Sequence, residues 1–334
     1  MGILLDHKSH NCHYDDELKV SGMIIYGAGM AGLLAANILR RFNPVVKEAQ
    51  PSLPNNHAAL LRFRSPSVGD SCGVPFSKVS VKKAICYEGK MFNEPNIFFS
   101  NKYSLKVTGA ITDRSINNLE NAERYIAPLN LISLMAANCN IEYKEVLSSI
   151  SMSCERKIPL ISTIPMPTMM EIVGWRKRPD FRSKPIWSQT GLIAEPDVNV
   201  CQTIYYPDPM KTYYRVSVIG NIIIAEHSSP PEQNPGPTLM GLLRDDFGID
   251  ARKIDNIKQQ EQKYGKILPI EERLRKEFIF YLTEEYGIFS LGRFATWRQL
   301  ILDDIVKDVA VVERLIDSDS IYDISLYRSE RNDK

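Results

Sequence analysis

No charge of one sign dominates this chain. Its 334 residues carry 41 lysines and arginines against 40 aspartates and glutamates, a formal charge of +1. That balance excludes a global electrostatic grip on nucleic acid and leaves room only for a local basic patch. No apolar run reaches the roughly 18 residues that a bilayer span needs, so no membrane segment is expected. The six cysteines (Cys12, Cys72, Cys86, Cys139, Cys154, Cys201) are scattered and form no C-x-x-C pair. They read as reduced thiols of a cytoplasmic protein, not as a disulfide framework or zinc site, and no metal site is expected. Internal repeats and low-complexity tracts are also missing. What is present is the ordinary globular mixture, 44% hydrophobic and 24% charged, which argues against disorder. The length suits one large domain or two intertwined ones.

Residues 1–22 stand apart. They are polar, lack the apolar region of a signal peptide, and precede what reads as a natural start at Met23. His7, His10 and His13 share a three-residue spacing that could hold a metal weakly, but the segment reads as a leader or an affinity segment and is set aside.

From Met23 the text becomes regular. Met23 to Tyr26 is a short apolar strand running into Gly27-Ala28-Gly29-Met30-Ala31-Gly32, and Leu33 to Arg41 follows as a helix. Asn43-Pro44 ends that helix, and Val45 to Glu48 forms a second strand. Further on, Leu129 to Ala137 reads as helical, Ile141 to Val146 as a strand, and Ile158 to Ile164 as a buried strand closed by Pro165 and Pro167. Residues 200–206 and 212–227 read as antiparallel strands rich in β-branched and aromatic side chains. A proline-rich loop, Ser229 to Pro237, precedes a helical region at 238–262. Tyr286 to Leu291 is an apolar strand, Asp303 to Ile316 an amphipathic helix, and the tail after Ser318 is polar.

The strand, glycine turn and helix supply the context that a G-x-G-x-x-G motif requires. Gly27 permits the tight turn, Gly29 lets the backbone approach a pyrophosphate, and Gly32 allows close helix–strand packing. The helix N-terminus adds N–H donors and partial positive charge. Glu48 ends the next strand, where a carboxylate can accept both ribose hydroxyls of an adenosine and would repel a 2′-phosphate. On this motif FAD and NAD stand equal, and NADP is disfavoured. Near the end of the chain, Gly287 to Asp304 carries an apolar strand into Gly292-Arg293, with a helix starting about ten residues later. A helix N-terminus there can stabilise the negative charge of a reduced isoalloxazine.

Three separated blocks, GAGMAG with Glu48, the strand ISTIPMP (Ile161 to Pro167) and GRFATW, together resemble the FAD-binding fold shared by amine oxidases, protoporphyrinogen oxidase and UDP-galactopyranose mutase. The resemblance implies an α/β fold, with a Rossmann-like FAD-binding domain of parallel strands and helices and an inserted antiparallel β-rich substrate domain. It implies FAD as cofactor, held by Gly27, Ala28, Gly29, Met30, Ala31, Gly32, Glu48, Ala49, Val146, Thr163, Pro165, Gly292, Arg293, Trp297 and Asp303. Arg293, Trp297 and Arg298 are the candidates beside the flavin ring. The closing block is similar to that of the mutases, but Gln299 and Ile301 stand where they carry a tyrosine and an acid. Gln50 to Pro54 replaces their Gly-Gly-Asn segment.

The expected division is a leader at 1–22, FAD-binding parts at 23–95, 139–170 and 266–318, a cap at 96–138, a β-rich substrate domain at 171–265 and a tail at 319–334. On the substrate side, Arg62 and Arg64, with His57 behind them, could hold a phosphate or carboxylate. Tyr206, Tyr214 and Arg215 could form a wall over the flavin, although aromatic strands also make plain core. With only one glycine fingerprint, a built-in NAD(P)H domain is not expected. The leading reading is hydride transfer from an amine-type substrate to flavin N5, with a small-molecule or nucleotide-linked substrate. Three alternatives stand beside it. They are a mutase-like isomerase using reduced FAD, a bacteriophage flavoenzyme acting on amino-acid-modified thymine in DNA, and a non-catalytic flavin-binding protein.

Overall fold

A computed structural model describes residues 22–53, 62–112, 116–148, 158–194, 200–233, 238–250 and 252–318. The leader with its three histidines, His57, Cys12, Cys154 and the tail after Ser318 lie outside the described residues. The elements run in the order β1 (Met23–Tyr26), α1 (Met30–Ile38), β2 (Pro44–Glu48), β3 (Arg62–Phe63), α2 (Ser67–Cys72), β4 (Ser77–Tyr87), β5 (Lys90–Phe92), α3 (Ile97–Thr108) and β6 (Ala122–Ile126). Then come α4 (Leu131–Ala136), β7 (Asn140–Tyr143), β8 (Leu160–Ser162), α5 (Met166–Ile172), β9 (Ser183–Ile193), β10 (Cys201–Tyr205), β11 (Tyr213–Ile219) and β12 (Ile222–His227). The last are α6 (Leu239–Phe247), β13 (Ile254–Ile267), α7 (Glu272–Tyr286), β14 (Ile288–Ser290) and α8 (Leu302–Asp317).

Two sheets organise these pieces. The first has the order β14-β8-β1-β2-β7, with every neighbouring pair parallel. Its central strand, Met23-Ile24-Ile25-Tyr26, is buried along its whole length, as a strand covered by helices on both faces must be. One face packs against α1, α2, α4 and α8 through Leu33, Leu34, Val68, Leu131 and Val309. The other packs against α5 and α7 through Met166, Met170, Phe278 and Leu282. In α8, Ile305, Val309, Val312 and Ile316 recur every three or four residues, and that stripe is what the helix buries.

The second sheet has the order β13-β9-β12-β11-β10-β4-β6-β3, and β5 pairs with β4. Its strands are antiparallel except β10 beside β4, which run parallel over Gln202↔Lys82 to Tyr205↔Ile85. The sheet is therefore mixed, where an antiparallel one was expected. More than a hundred residues separate those two strands in the chain, the long connection that a parallel pair requires.

Residues 238–262 do not form one helix. α6 stops at Gly248, whose left-handed backbone caps it, and 254–267 is a strand paired to β9. The Lys, Gln and Glu residues that favour helix there are overridden by edge pairing. Helix α3, capped by Asn96 and ended by the left-handed Gly109, and α7, ended by the left-handed Gly287, carry local signals that went unread in the sequence.

Candidate functional site

The glycine turn is shaped from within at two of its three positions. Gly27 has φ +100°, and a Cβ placed there would lie 2.3 Å from Thr163 Oγ1. A Cβ on Gly32 would lie 1.9 Å from the Gly27 carbonyl oxygen. Gly29 differs: its backbone is extended (φ −72°, ψ 177°), and a Cβ would meet nothing within 4 Å. The described residues therefore give no reason for glycine at 29. Open space fronts the start of α1 at that position, from which an anion such as a pyrophosphate could reach the helix amides. No side chain caps that helix start.

Glu48 lies at the C-terminal end of β2. Its Oε2 accepts from the Ala28 N–H at 2.7 Å and its Oε1 from the Gln50 N–H at 2.9 Å. A carboxylate offers about four lone-pair sites, so two backbone donors orient it and leave capacity for ribose hydroxyls. The adjoining 144–146 segment runs beside it, with the Glu145 N–H donating to Glu48 O at 3.0 Å, and Val146 stands 67% exposed. Ala49 is likewise exposed.

Blocks far apart in sequence meet at this turn. The Thr163 hydroxyl donates to Tyr26 O at 2.9 Å, tying β8 to the entrance of the turn. Pro165 starts α5, and the Met166 N–H donates to Phe294 O at 2.9 Å. Gly292 has φ +92°, and a Cβ there would lie 2.8 Å from the Ala31 Cβ in the first turn of α1. The Gly292-Arg293 block is thus packed directly onto the glycine turn. Trp297 is buried with a left-handed backbone, and its indole N–H donates to Leu268 O at 2.9 Å. Arg298 pairs with Asp308. Asp303 accepts from the Ser65 amide and hydroxyl at 3.0 and 2.8 Å, locking the first turn of α8 to the segment after β3.

Sequence reading missed Arg275. Nearly buried, it donates twice to Glu272 and once to Thr296 O at 3.2 Å, and so holds the closing block from α7. Together with Trp297, Arg298 and Gln299 it lines an open cleft of about 160 Å³.

The substrate-side candidates divide. Tyr206 and Tyr214 are fully buried, which settles them as core residues. The Tyr206 hydroxyl donates to Asp246 and that of Tyr214 to Glu226; burial pushes both phenols well above their usual pKa. Arg64 is exposed on the surface. Arg62 and Arg215 come together around Glu226, a residue whose charge in the apolar strand IIIAEH was the available signal of a buried partner. Arg215 grips Glu226 with two donors, Nε to Oε2 and Nη2 to Oε1 at 2.6 Å. Arg62 donates to the Thr203 hydroxyl, which is 2.9 Å from Ser217 Oγ. Burial, then the neighbouring Arg215 charge, lower the Arg62 pKa to about 10.

A bulge explains the arrangement. Tyr213 pairs with His227 and Arg215 with Glu226, leaving Tyr214 as the extra residue. Both Tyr214 and Arg215 then reach the same carboxylate, where strict alternation would send them to opposite faces. His227 is held neutral, its pKa lowered to about 4 by burial and by the Lys106 charge, and its Nδ1 lies 3.0 Å from Thr212 Oγ1.

No protein-family model and no curated protein matches the chain. Solved structures do share its fold. A reduced UDP-galactopyranose mutase is 14% identical with a TM-score of 0.53, over 83% of this chain and 89% of that one. A fatty acid isomerase from P. acnes that produces CLA is 12% identical with a TM-score of 0.54, over 90% and 99%. A triple mutant of the flavin-dependent brominase Bmp2 is 13% identical with a TM-score of 0.50, over 92% and 83%. At such identities the likeness is one of fold: a parallel sheet with helices beside a separate mixed sheet.

Proposed function

We propose that this chain is an FAD-dependent oxidoreductase that takes hydride from the carbon next to nitrogen in an amine-type substrate, turning its C–N single bond into C=N. The observation that carries the flavin reading is Gly29, a glycine that nothing among the described residues demands, at the start of α1, which no described side chain caps. Bound FAD would supply the hydride acceptor at its N5. The residues around it would do the rest. The amides at the start of α1 would hold the pyrophosphate, and Glu48 would accept the ribose hydroxyls. Gly292, through its contact with Ala31, would keep the closing block against the same turn. Arg293 donates from Nη2 to Gly265 O at 2.9 Å, which anchors that block to β13 and hence to the mixed sheet. No protein base would be required for an amine bound in its neutral form, since loss of hydride from its carbon gives the iminium directly, and the site need only orient the substrate and exclude water.

A second reading is isomerisation by reduced FAD with no net oxidation. It is favoured by the fold shared with enzymes named as a mutase and an isomerase.

The visible spectrum of the purified protein, followed anaerobically after separate additions of amines and NAD(P)H, tests both. Bleaching of the flavin band by an amine is expected. Bleaching only by NAD(P)H or dithionite would favour isomerisation, and no flavin band after adding FAD would overturn both readings. Glu48→Ala should weaken FAD binding by about tenfold or more, the loss of roughly 1.5–3 kcal/mol expected for hydrogen bonds to a charged group. Equilibrium dialysis of FAD against this variant checks it, and unchanged affinity would remove the ribose assignment.

A further inference from the structure

We propose that the polar face of the mixed sheet docks the anionic end of the substrate, a carboxylate or phosphate group, on the guanidinium of Arg62. The proposal rests on the flavoenzyme reading for what is done to the substrate, and on the sheet alone for how it is held.

The strand register assembles this face. Directly paired residues point to the same side of a sheet. One cross-strand row therefore reads Tyr205, Arg215, Glu226, Ser188 across β10, β11, β12 and β9. The next row carries Lys83, Thr203 and Ser217. The opposite face is apolar and covered by α6, through Ile204, Val216, Ala225 and Leu243. Part of the polar side is closed by α3, whose Tyr103 packs edge-on against Tyr205 and Tyr214. Beyond that cover lie the charges and hydroxyls.

Their bonding is unequal. Arg215 is committed to Glu226 through two donors. Arg62, although near the Glu226 charge, donates a hydrogen bond only to a neutral hydroxyl, that of Thr203, among the described residues. The fork of a guanidinium so placed has donors left over, in the geometry that matches a carboxylate or phosphate. Ser188 supplies an independent sign of a missing partner. It is 1% exposed, stands beside Glu226 in the register, and its hydroxyl has no hydrogen-bond partner among the described residues. A buried hydroxyl left so is costly; three strands from Thr203, at about 14 Å, it would meet another part of a polar ligand than the anionic group on Arg62. The charge balance has the same sense: Arg62, Arg215 and Lys266 surround the one carboxylate of Glu226, and burial lowers the Arg62 pKa. Such a face repels a free ammonium. An amine substrate would have to bring an anionic group of its own.

The face also adjoins the Gly292-Arg293 block. Arg293 bonds Gly265 O, and the next residue, Lys266, holds its ammonium 5.8 Å from the ring centre of Tyr214, which in turn bonds Glu226. From the other side, Ser65, three residues after Arg62, locks Asp303.

Calorimetric titration of the purified protein with inorganic phosphate, benzoate and benzylamine, each alone, tests the assignment. One or both anions should bind and benzylammonium should not; binding of benzoate alone selects a carboxylate, binding of phosphate alone a phosphate. Arg62→Met should weaken the bound anion by about tenfold or more, with FAD uptake kept. Where Arg62→Met does not fold, Arg62→Lys decides, because it keeps the charge and loses the fork, and it should weaken the anion by about fivefold. Binding of neither anion by the wild-type protein, or equal affinity in the folded variant, overturns the proposal. A protein that binds an anion through Arg62 but takes up no FAD keeps this site and loses the flavin reading. One that takes up FAD but binds neither anion does the reverse.

Discussion

A Gly32→Ala protein is expected to lose about 1–3 kcal/mol of stability or more, and its capacity for FAD with it. The added carbon would sit 1.9 Å from the Gly27 carbonyl oxygen and 3.2 Å from its carbon. Both are backbone atoms, and their position is fixed from the other side by the Gly27 N–H, which donates to Lys47 O at 2.8 Å. Neither can swing aside as a side-chain tip would, so the first turn of α1 must part from the end of β1, an overpacking strain of that size. Gly29→Ala is the control that gives this expectation its meaning. Its backbone suits any residue and its Cβ enters open space, so stability should stay within roughly 0.5 kcal/mol. FAD affinity should nevertheless fall by about tenfold or more, because the methyl occupies the approach of the pyrophosphate. Denaturant unfolding of both variants without FAD, followed by FAD titration, separates the two roles. If Gly29→Ala binds FAD as the parent does, the cradle is not where the cofactor lies.

This contrast shows what the sequence could and could not disclose. The spacing of Gly27, Gly29 and Gly32 between a strand and a helix is legible because each element is local: four apolar residues, a turn, then good helix formers. Glu48 is legible for the same reason, one strand later. The same holds for the stripe of α8. The meeting of Gly292 with Ala31 joins residues some 260 apart, and only a resemblance could suggest it. The mixed sheet was read least well. β13 is built of residues that prefer helix, and β4 pairs with a strand more than a hundred residues away, so neither propensity nor periodicity reports them.

At the polar face of the mixed sheet the difficulty was one of alternation. Tyr213, Tyr214 and Arg215 read as successive strand residues, which sends Tyr214 and Arg215 to opposite sides. The bulge places both toward Glu226 and leaves Tyr213 on the apolar side with Val216. A single inserted residue thus converts an aromatic strand into one that carries a buried charge pair. The aromatic residues named as a possible wall supply packing, while the charged residues between them form a buried ion pair. Buried serines and a threonine, too ordinary to single out in a sequence, complete the face.

Removing the charge at the centre of that face should be the most damaging change there. Glu226→Ala is expected to cost about 3–5 kcal/mol, since it leaves the Arg215 guanidinium buried without its carboxylate and facing Arg62. Replacing both partners, Glu226→Leu with Arg215→Met, should cost less than Glu226→Ala alone, because no charge is then stranded. The pH dependence gives a second handle. Burial would raise the Glu226 pKa, but the Arg215 charge and its hydrogen bonds overcome this, with help from Lys266 and Arg62, and hold it at about 2. A carboxyl lowered in the folded state contributes stability that is fully present above its unfolded value of about 4.3. That contribution, roughly 3 kcal/mol, is lost as pH falls from there through about 2. Urea unfolding of the parent between those limits should therefore show stability declining with acid, and the Leu/Met double variant should show a shallower decline. Equal slopes would mean that Glu226 is not held as an anion by its arginine, and the charge logic of the whole face would fail with it.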